Sequence, residues 1–161
     1  MKSPVLNTSQ FQTTAFSPHG EVSLWFEDQI LYYDATGPLN AEVIDCLTLA
    51  QVEFLKQFEP QGPWGSMAVY KVSAMMGPDC LARYEAMMSK PKAPGKTPVA
   101  TAFVMGPDVD GYRLMAPLYA KIYAGIQRPF RAVETLEEGR RWLFEQIAQA
   151  RRQAPDAPAG T

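Results

Sequence analysis

Between residues 99 and 147 the hydrophobic pattern changes period repeatedly, and each change carries its own stop signal. Val99 to Val104 is an apolar run enclosing Thr101 and Ala102, the character of a strand buried on both faces. Gly106-Pro107 ends it. From Tyr112 onward Leu114, Met115, Leu118 and Ile122 recur at helical spacing, with Tyr119 and Tyr123 beside them, so one wide face is buried. Pro117 inside that pattern predicts a kink or a late start, and Gly125 a left-handed residue past the helix end. Pro129 to Glu134 alternates as a short strand, Phe130 and Ala132 pointing one way and Arg131 and Val133 the other. Thr135-Leu136-Glu137-Glu138 matches a capping box, and Leu136, Trp142, Leu143 and Ile147 form the stripe of the helix it opens. Trp142 is expected to be buried against the sheet. Strand, helix and strand in this order join parallel strands by a right-handed crossover, so this third of the chain is a βαβα unit.

The same reading extends toward the N-terminus. Val22 to Phe26 and Ile30 to Tyr33 are β-rich runs, and Glu27-Asp28-Gln29 between them is a hairpin connection. Asn40 caps a helix running to about Phe58, with Glu42 in its first turn and Val43, Ile44, Leu47, Ala50, Phe54, Leu55 and Phe58 on its buried side. Met67 to Val72 is a third strand. Gly77-Pro78 opens a helix carrying Leu81, Tyr84, Met87 and Met88, and residues 89–98 (SKPKAPGKTP) form a flexible basic loop. The order is an N-terminal β-hairpin followed by αβαβαβα. It predicts an α/β fold with one mostly parallel, five-stranded sheet and helices packed on it. Residues 1–15 read as a loose polar leader, 16–152 as a single domain, and 153–161 as a small, Pro-rich, disordered tail.

Length and charge narrow this further. A chain of 161 residues makes one domain and buries roughly 70% of its unfolded surface. Net charge is −2 and pI about 5.4, so no global basic field attracts nucleic acid or anionic lipid. Cys46 and Cys80 fall mid-helix and read as small buried hydrophobes, with a disulfide or metal clip as the alternative. That usage suits a reducing, cytoplasmic location. The N-terminus has no apolar core of a secretory signal, and no segment predicts a membrane span.

Three stretches, together with the element order, carry a resemblance: ILYYDATGPLNAEV, ATAFVMGP with its following helix, and RPFRAVETLEEGRRWL. Over about residues 16–147 the chain resembles the STAS domain fold of anti-sigma-factor antagonists, and more narrowly the SpoIIAA-like family of small bacterial proteins. The closing strand Phe130 to Val133, the acidic start Glu137-Glu138 and the pair Trp142-Leu143 are its most specific part. Val133 stands where the resemblance implies an aromatic, and Gly139 where it implies alanine. It also implies a non-enzymatic regulatory or protein-interaction module. The signalling branch of STAS proteins carries a phosphorylated serine in a short Asp-Ser-rich turn after the third strand. The corresponding turn here is VSAMMGPD, where Ser73 is the hydroxyl and no Asp precedes it.

Candidate chemistry is sparse. His19, the sole histidine, lies in turn-forming Ser17-Pro18-His19-Gly20, and no nucleophile–base pair or metal set is legible, so neither enzyme chemistry nor a cofactor is expected. Asp108-Val109-Asp110-Gly111 opens like a calcium loop but lacks the third acidic position, and Tyr119 stands where glutamate is needed. Trp64, between Gly-Pro and Gly, is either an exposed anchor or tucked over the core. Met67, Met75, Met76, Met87, Met88 and Met105 cluster mid-chain, as core filling or as a deformable pocket for an apolar, lipid-like ligand. Ligands of open α/β sheets bind beyond the carboxyl ends of the strands. The site residues expected there are Ser73, Met75, Met76, Met87, Met105, Asp108 and Thr135, with Ser73 also the phosphorylation candidate. Lys90, Lys92 and Lys96, and separately Arg128, Arg131, Arg140 and Arg141, are solvated charge or a docking patch for an acidic partner. Expected partners are a protein of unread identity, an apolar small molecule, or a second copy of the chain.

Overall fold

A computed structural model describes residues 1–12 and 17–154. They form a six-stranded sheet with the strands side by side in chain order. The strands are β1 (Leu6–Asn7), β2 (Glu21–Glu27), β3 (Ile30–Thr36), β4 (Gly65–Lys71), β5 (Thr101–Val104) and β6 (Phe130–Val133). The helices are α1 (Ala41–Gln57), α2 (Pro78–Ser89), α3 (Tyr112–Gly125) and α4 (Leu136–Gln153). β1, β2 and β3 pair antiparallel, and β3 through β6 pair parallel. The sheet is therefore mixed, with one strand more than the five predicted.

The additional strand lies in the stretch expected to be a loose leader. Two residues are too few to show alternation, and polar side chains rather than apolar ones hold them. Thr8 Oγ1 accepts from the Val22 amide at 3.0 Å, and Ser3 Oγ from the Phe26 amide at 2.8 Å. Asn7 caps the 3₁₀ turn Thr8–Phe11 and donates to Ser23 Oγ at 2.9 Å. These bonds satisfy backbone groups that the outer edge of β2 would otherwise leave open. At the other end, Gln153 closes α4 and Ala154 is its C-cap. The rest of the tail expected to be disordered lies outside the described residues.

The hairpin between β2 and β3 turns on Asp28 and Gln29, whose φ angles are 51° and 63°. A two-residue turn with both φ positive matches the twist of the flanking strands. α1 starts at Asn40, whose side chain accepts from the Val43 amide at 3.1 Å, and buries the predicted face, with Phe58 as C-cap. α3 departs from expectation at its end. Gly125 is the last helical residue, and the left-handed residue is Gln127, at φ 56°. The Arg128 amide donates to Tyr123 O at 3.0 Å and the Gln127 amide to Ala124 O at 3.1 Å, which is a Schellman closure without glycine.

Chain-order strands joined by right-handed crossovers place α1, α2 and α3 on one face. The larger core forms there, between those helices and Val22, Leu24, Phe26, Leu31, Ala35, Tyr70 and Phe103. α4 has the opposite face alone. It lays Trp142, Leu143 and Ile147 over Met67, Ala102 and Val104. Gly139 allows the close approach: a Cβ there would fall 2.7 Å from Met67 Sδ and 3.4 Å from Val104 and Val133 methyls. That contact accounts for glycine where the resemblance implies alanine. α4 packs on β4, β5 and β6. The β2–β3 half of this face, with Ser23, Trp25, Tyr32 and Asp34, has no helix of its own.

Trp142 is 8% exposed, as expected, with the Arg131 guanidinium 5.1 Å from its ring centroid. Trp142→Ala should cost roughly 3–5 kcal/mol in urea melts, because the rigid sheet beneath cannot collapse into the void. A cost below about 1 kcal/mol would mean that α4 is not docked.

Candidate functional site

The carboxyl ends of the parallel strands, where the sequence places the site, are closed by turns. Ser73 is 4% exposed, and its Oγ accepts from the Met75 amide at 3.1 Å. α2 begins only at Pro78, so Ser73 is not at a helix start. The segment around Gly37 seals it: a Cβ on Gly37 would fall 2.0 Å from Ser73 O, and the Leu39 amide donates to Met75 O at 3.2 Å. A phosphoryl group has no open approach to this hydroxyl in the folded chain. Met75 lies against Gly111, and Met105 is 2% exposed inside the core. Asp108 is exposed in the turn before α3, and Thr135 caps α4 by accepting from the Glu138 amide at 3.2 Å. Of the predicted set, Met76 and Met87 line one cavity together.

One element at this end is strained. The Ser73 amide donates to Lys71 O at 2.8 Å across Val72, which sits at φ 67° and 65% exposure. A three-residue turn with positive φ at a β-branched centre is rare and unfavourable. The Asp110 amide donates to Val72 O at 2.9 Å and holds the turn to the β5–α3 connection.

The cavity lies deeper, between the sheet and α1–α3. It measures about 50 Å³, roughly the room of one or two waters. Its wall is phenolic. Tyr84 Oη and Tyr123 Oη share a hydrogen bond at 2.6 Å, and Gln51 Nε2 donates to Tyr33 Oη at 2.9 Å. Tyr70 and Thr101 approach from the sheet, where Thr101 Oγ1 and Ser66 Oγ lie 2.7 Å apart. Behind them Tyr119 donates to Ala74 O at 2.7 Å. Met76, Met87 and Met88 complete the lining. Burial, above all, holds the hydroxyls of Tyr33, Tyr70, Tyr84 and Tyr119 well above the ordinary phenol range. It also pushes Tyr123 up to about 12, against the opposing effects of Tyr84, Arg128 and Thr101. The phenols are therefore neutral donors and acceptors near pH 7.

A larger groove of about 330 Å³ adjoins it between α1, the end of α2 and the basic loop. Val52, Leu55, Met87 and Pro91 form an apolar floor; Lys56, Lys90, Lys92 and Lys96 ring it. Gln51 and Met87 line both spaces. Lys96 is committed locally: its Nζ donates to Leu55 O at 2.7 Å. Lys92 is half-buried, and burial, then the Arg128 charge, lowers its pKa. On the far side of the loop Lys90, Lys92 and Arg128 line a shallow cleft. The sequence marks this loop as basic, but nothing in it shows that the loop folds back over α1. Tyrosines at apolar positions of α2 and α3 were the available sign of a polar-tipped interior.

Other candidates resolve into structure. Trp64 is 2% exposed and donates to Gly95 O at 2.9 Å, so it is tucked over the core. His19 is exposed, and its amide donates to Asn40 Oδ1. Cys46 and Cys80 are buried, and burial pushes the Cys80 thiol up to about 11. Among the described residues no group of His, Cys, Asp and Glu could hold a metal ion, and no helix is long and apolar enough to cross a membrane. Compared with family models, curated proteins and solved structures, the chain matches none.

Replacing Val72 with glycine should raise stability by about 1 kcal/mol, relief of strain exceeding the added chain entropy. A loss in denaturant melts would contradict the strained turn. The tyrosine cluster sets a second expectation. Folded pKa values above the unfolded value, roughly 10, leave stability intact below that pH. Stability is then lost as pH rises through the folded values, that of Tyr123 being about 12. Urea midpoints should fall over that alkaline range, with phenolate absorbance appearing in step with unfolding. Free titration of all tyrosines in the folded protein would refute their burial.

Proposed function

We propose that the chain binds a small amphipathic molecule, an apolar body with an anionic group, in the groove beside the tyrosine cavity. One observation carries the reading: an apolar floor and converging cations meet at a single loop, and Gln51 and Met87 join that floor to a polar interior. The groove, about 330 Å³, falls in the range of small-molecule sites, roughly 300–1,000 Å³. Lys92 adds a physical reason for an anion. Its charge is disfavoured by burial and by Arg128, and a carboxylate or phosphate between the two would relieve both effects. Met87 gives the floor a deformable side chain. This is a local field, compatible with the acidic balance of the whole chain.

A fluorescent long-chain carboxylate tests the reading. It should bind wild type and be displaced by unlabelled fatty acid. Met87→Trp, which fills the junction, should weaken binding by roughly tenfold, a change of about 1.4 kcal/mol, with an unchanged circular dichroism spectrum. Equal binding by this variant, or none by wild type, would contradict the groove.

A second reading is a non-enzymatic interaction module, as the SpoIIAA-like resemblance implies. The order of a hairpin followed by alternating helices and strands supports it, as does the uncovered half of the α4 face. With Ser73 sealed, such a module would act through its unmodified surface.

A further inference from the structure

The face of the sheet occupied by α4 is half covered. β2 and β3 present Trp25 and Tyr32 there as a stacked pair, ring centroids 5.2 Å apart. Trp25 Nε1 and Asp34 Oδ1 are buried without a hydrogen-bond partner, which native structures rarely leave unanswered. Around them stand the acidic residues Glu21, Glu27, Asp28 and Asp34; among the described residues Asp34 pairs with Lys71 and Asp28 with Arg140. α4 offers the complement. Beyond its buried stripe it carries Arg140, Arg141, Arg151 and Arg152, with Leu136 46% and Phe144 39% exposed. A shallow groove runs along Leu136, Arg140, Phe144 and Ala148.

The spacing on that flank is palindromic. Glu137, Phe144 and Arg151 recur at the same interval, so they share one line on the helix. If two such helices lie antiparallel about Phe144, Phe144 meets Phe144, Glu137 meets Arg151, and Arg140 lies opposite Ala148. An acidic first turn and a basic last turn then meet at both ends. A self-complementary surface of this kind is what a two-fold interface requires.

We propose that the chain forms a two-fold homodimer in which the two α4 helices pair antiparallel and each lies over the uncovered β2–β3 face of the other copy. The dimer is a three-layer core of sheet, paired helices shared as one layer, and sheet, flanked outside by α1–α3 of each copy. The arginines of one α4 reach the acidic half-face of its partner, and Trp25, partly exposed in the single chain, leaves solvent beside the already buried Tyr32. The groove beside the tyrosine cavity is on the opposite face and stays open.

Sedimentation equilibrium of the full chain tests this. Wild type should reach twice the chain mass of 17.9 kDa, with Trp emission shifting to the blue as concentration rises. Phe144→Glu should give a monomer with an unchanged far-ultraviolet spectrum. Glu137→Arg and Arg151→Glu should each weaken the dimer roughly tenfold, since each turns two attractions into two repulsions. The double reversal should restore it. A wild-type monomer at all soluble concentrations, or a double variant no tighter than the single ones, would overturn the proposal.

Discussion

The constraint on which the structure depends is the hand of the crossovers. Strands laid down in chain order, each reached through a right-handed connection, force α1, α2 and α3 onto one face. Only α4, which follows the last strand, is free to take the other. The two faces are therefore unequal before any side chain is considered. One is crowded enough to enclose a cavity between helices and sheet. The other is covered by α4 over β4–β6, whereas over β2–β3 only side chains reach across it, Arg140 onto Tyr32 and Lys2 onto Trp25 among the described residues.

Side chains then follow the inequality. The crowded face uses tyrosines where a wholly apolar core would use phenylalanine, and their hydroxyls find one another or a backbone carbonyl. The interior is thus polar-tipped yet neutral, and it continues through Gln51 and Met87 to a lysine-ringed groove. The sparse face relies on close approach: Gly139 brings α4 onto Met67, and Arg140 reaches across to Asp28 at 3.0 Å and to Tyr32 Oη.

Much of the fold was legible because local signals agreed with each other. Asn40 and Thr135 cap where the patterns begin, and the alternation of Phe130 to Val133 assigns Phe130 to the α1–α3 face and Arg131 and Val133 to the α4 face, as observed. β1 was not legible because hydroxyls and an amide, rather than apolar alternation, hold it to β2. The end of α3 misled because Gln127 adopts the left-handed conformation that Gly125 was expected to take. The candidate site was less legible than the fold. The carboxyl ends of the strands are the usual place for a ligand, but here Gly37, Val72 and the turn around Asp110 pack over them. The cavity instead gathers residues from β3, β4, β5 and all three helices of one face, which no local pattern relates. The basic loop was visible as charge, whereas its fold against Leu55 through Lys96 is a tertiary contact.

The two proposals, a small molecule bound at one face and a second copy paired at the other, can be tested in one measurement. Native mass spectrometry of freshly purified protein reports assembly and retained ligand together. The expected spectrum shows two chains of 17.9 kDa each, carrying an additional mass that is released on denaturation and behaves as an anionic amphiphile. A bare single chain at every concentration would contradict both assignments and leave only the fold.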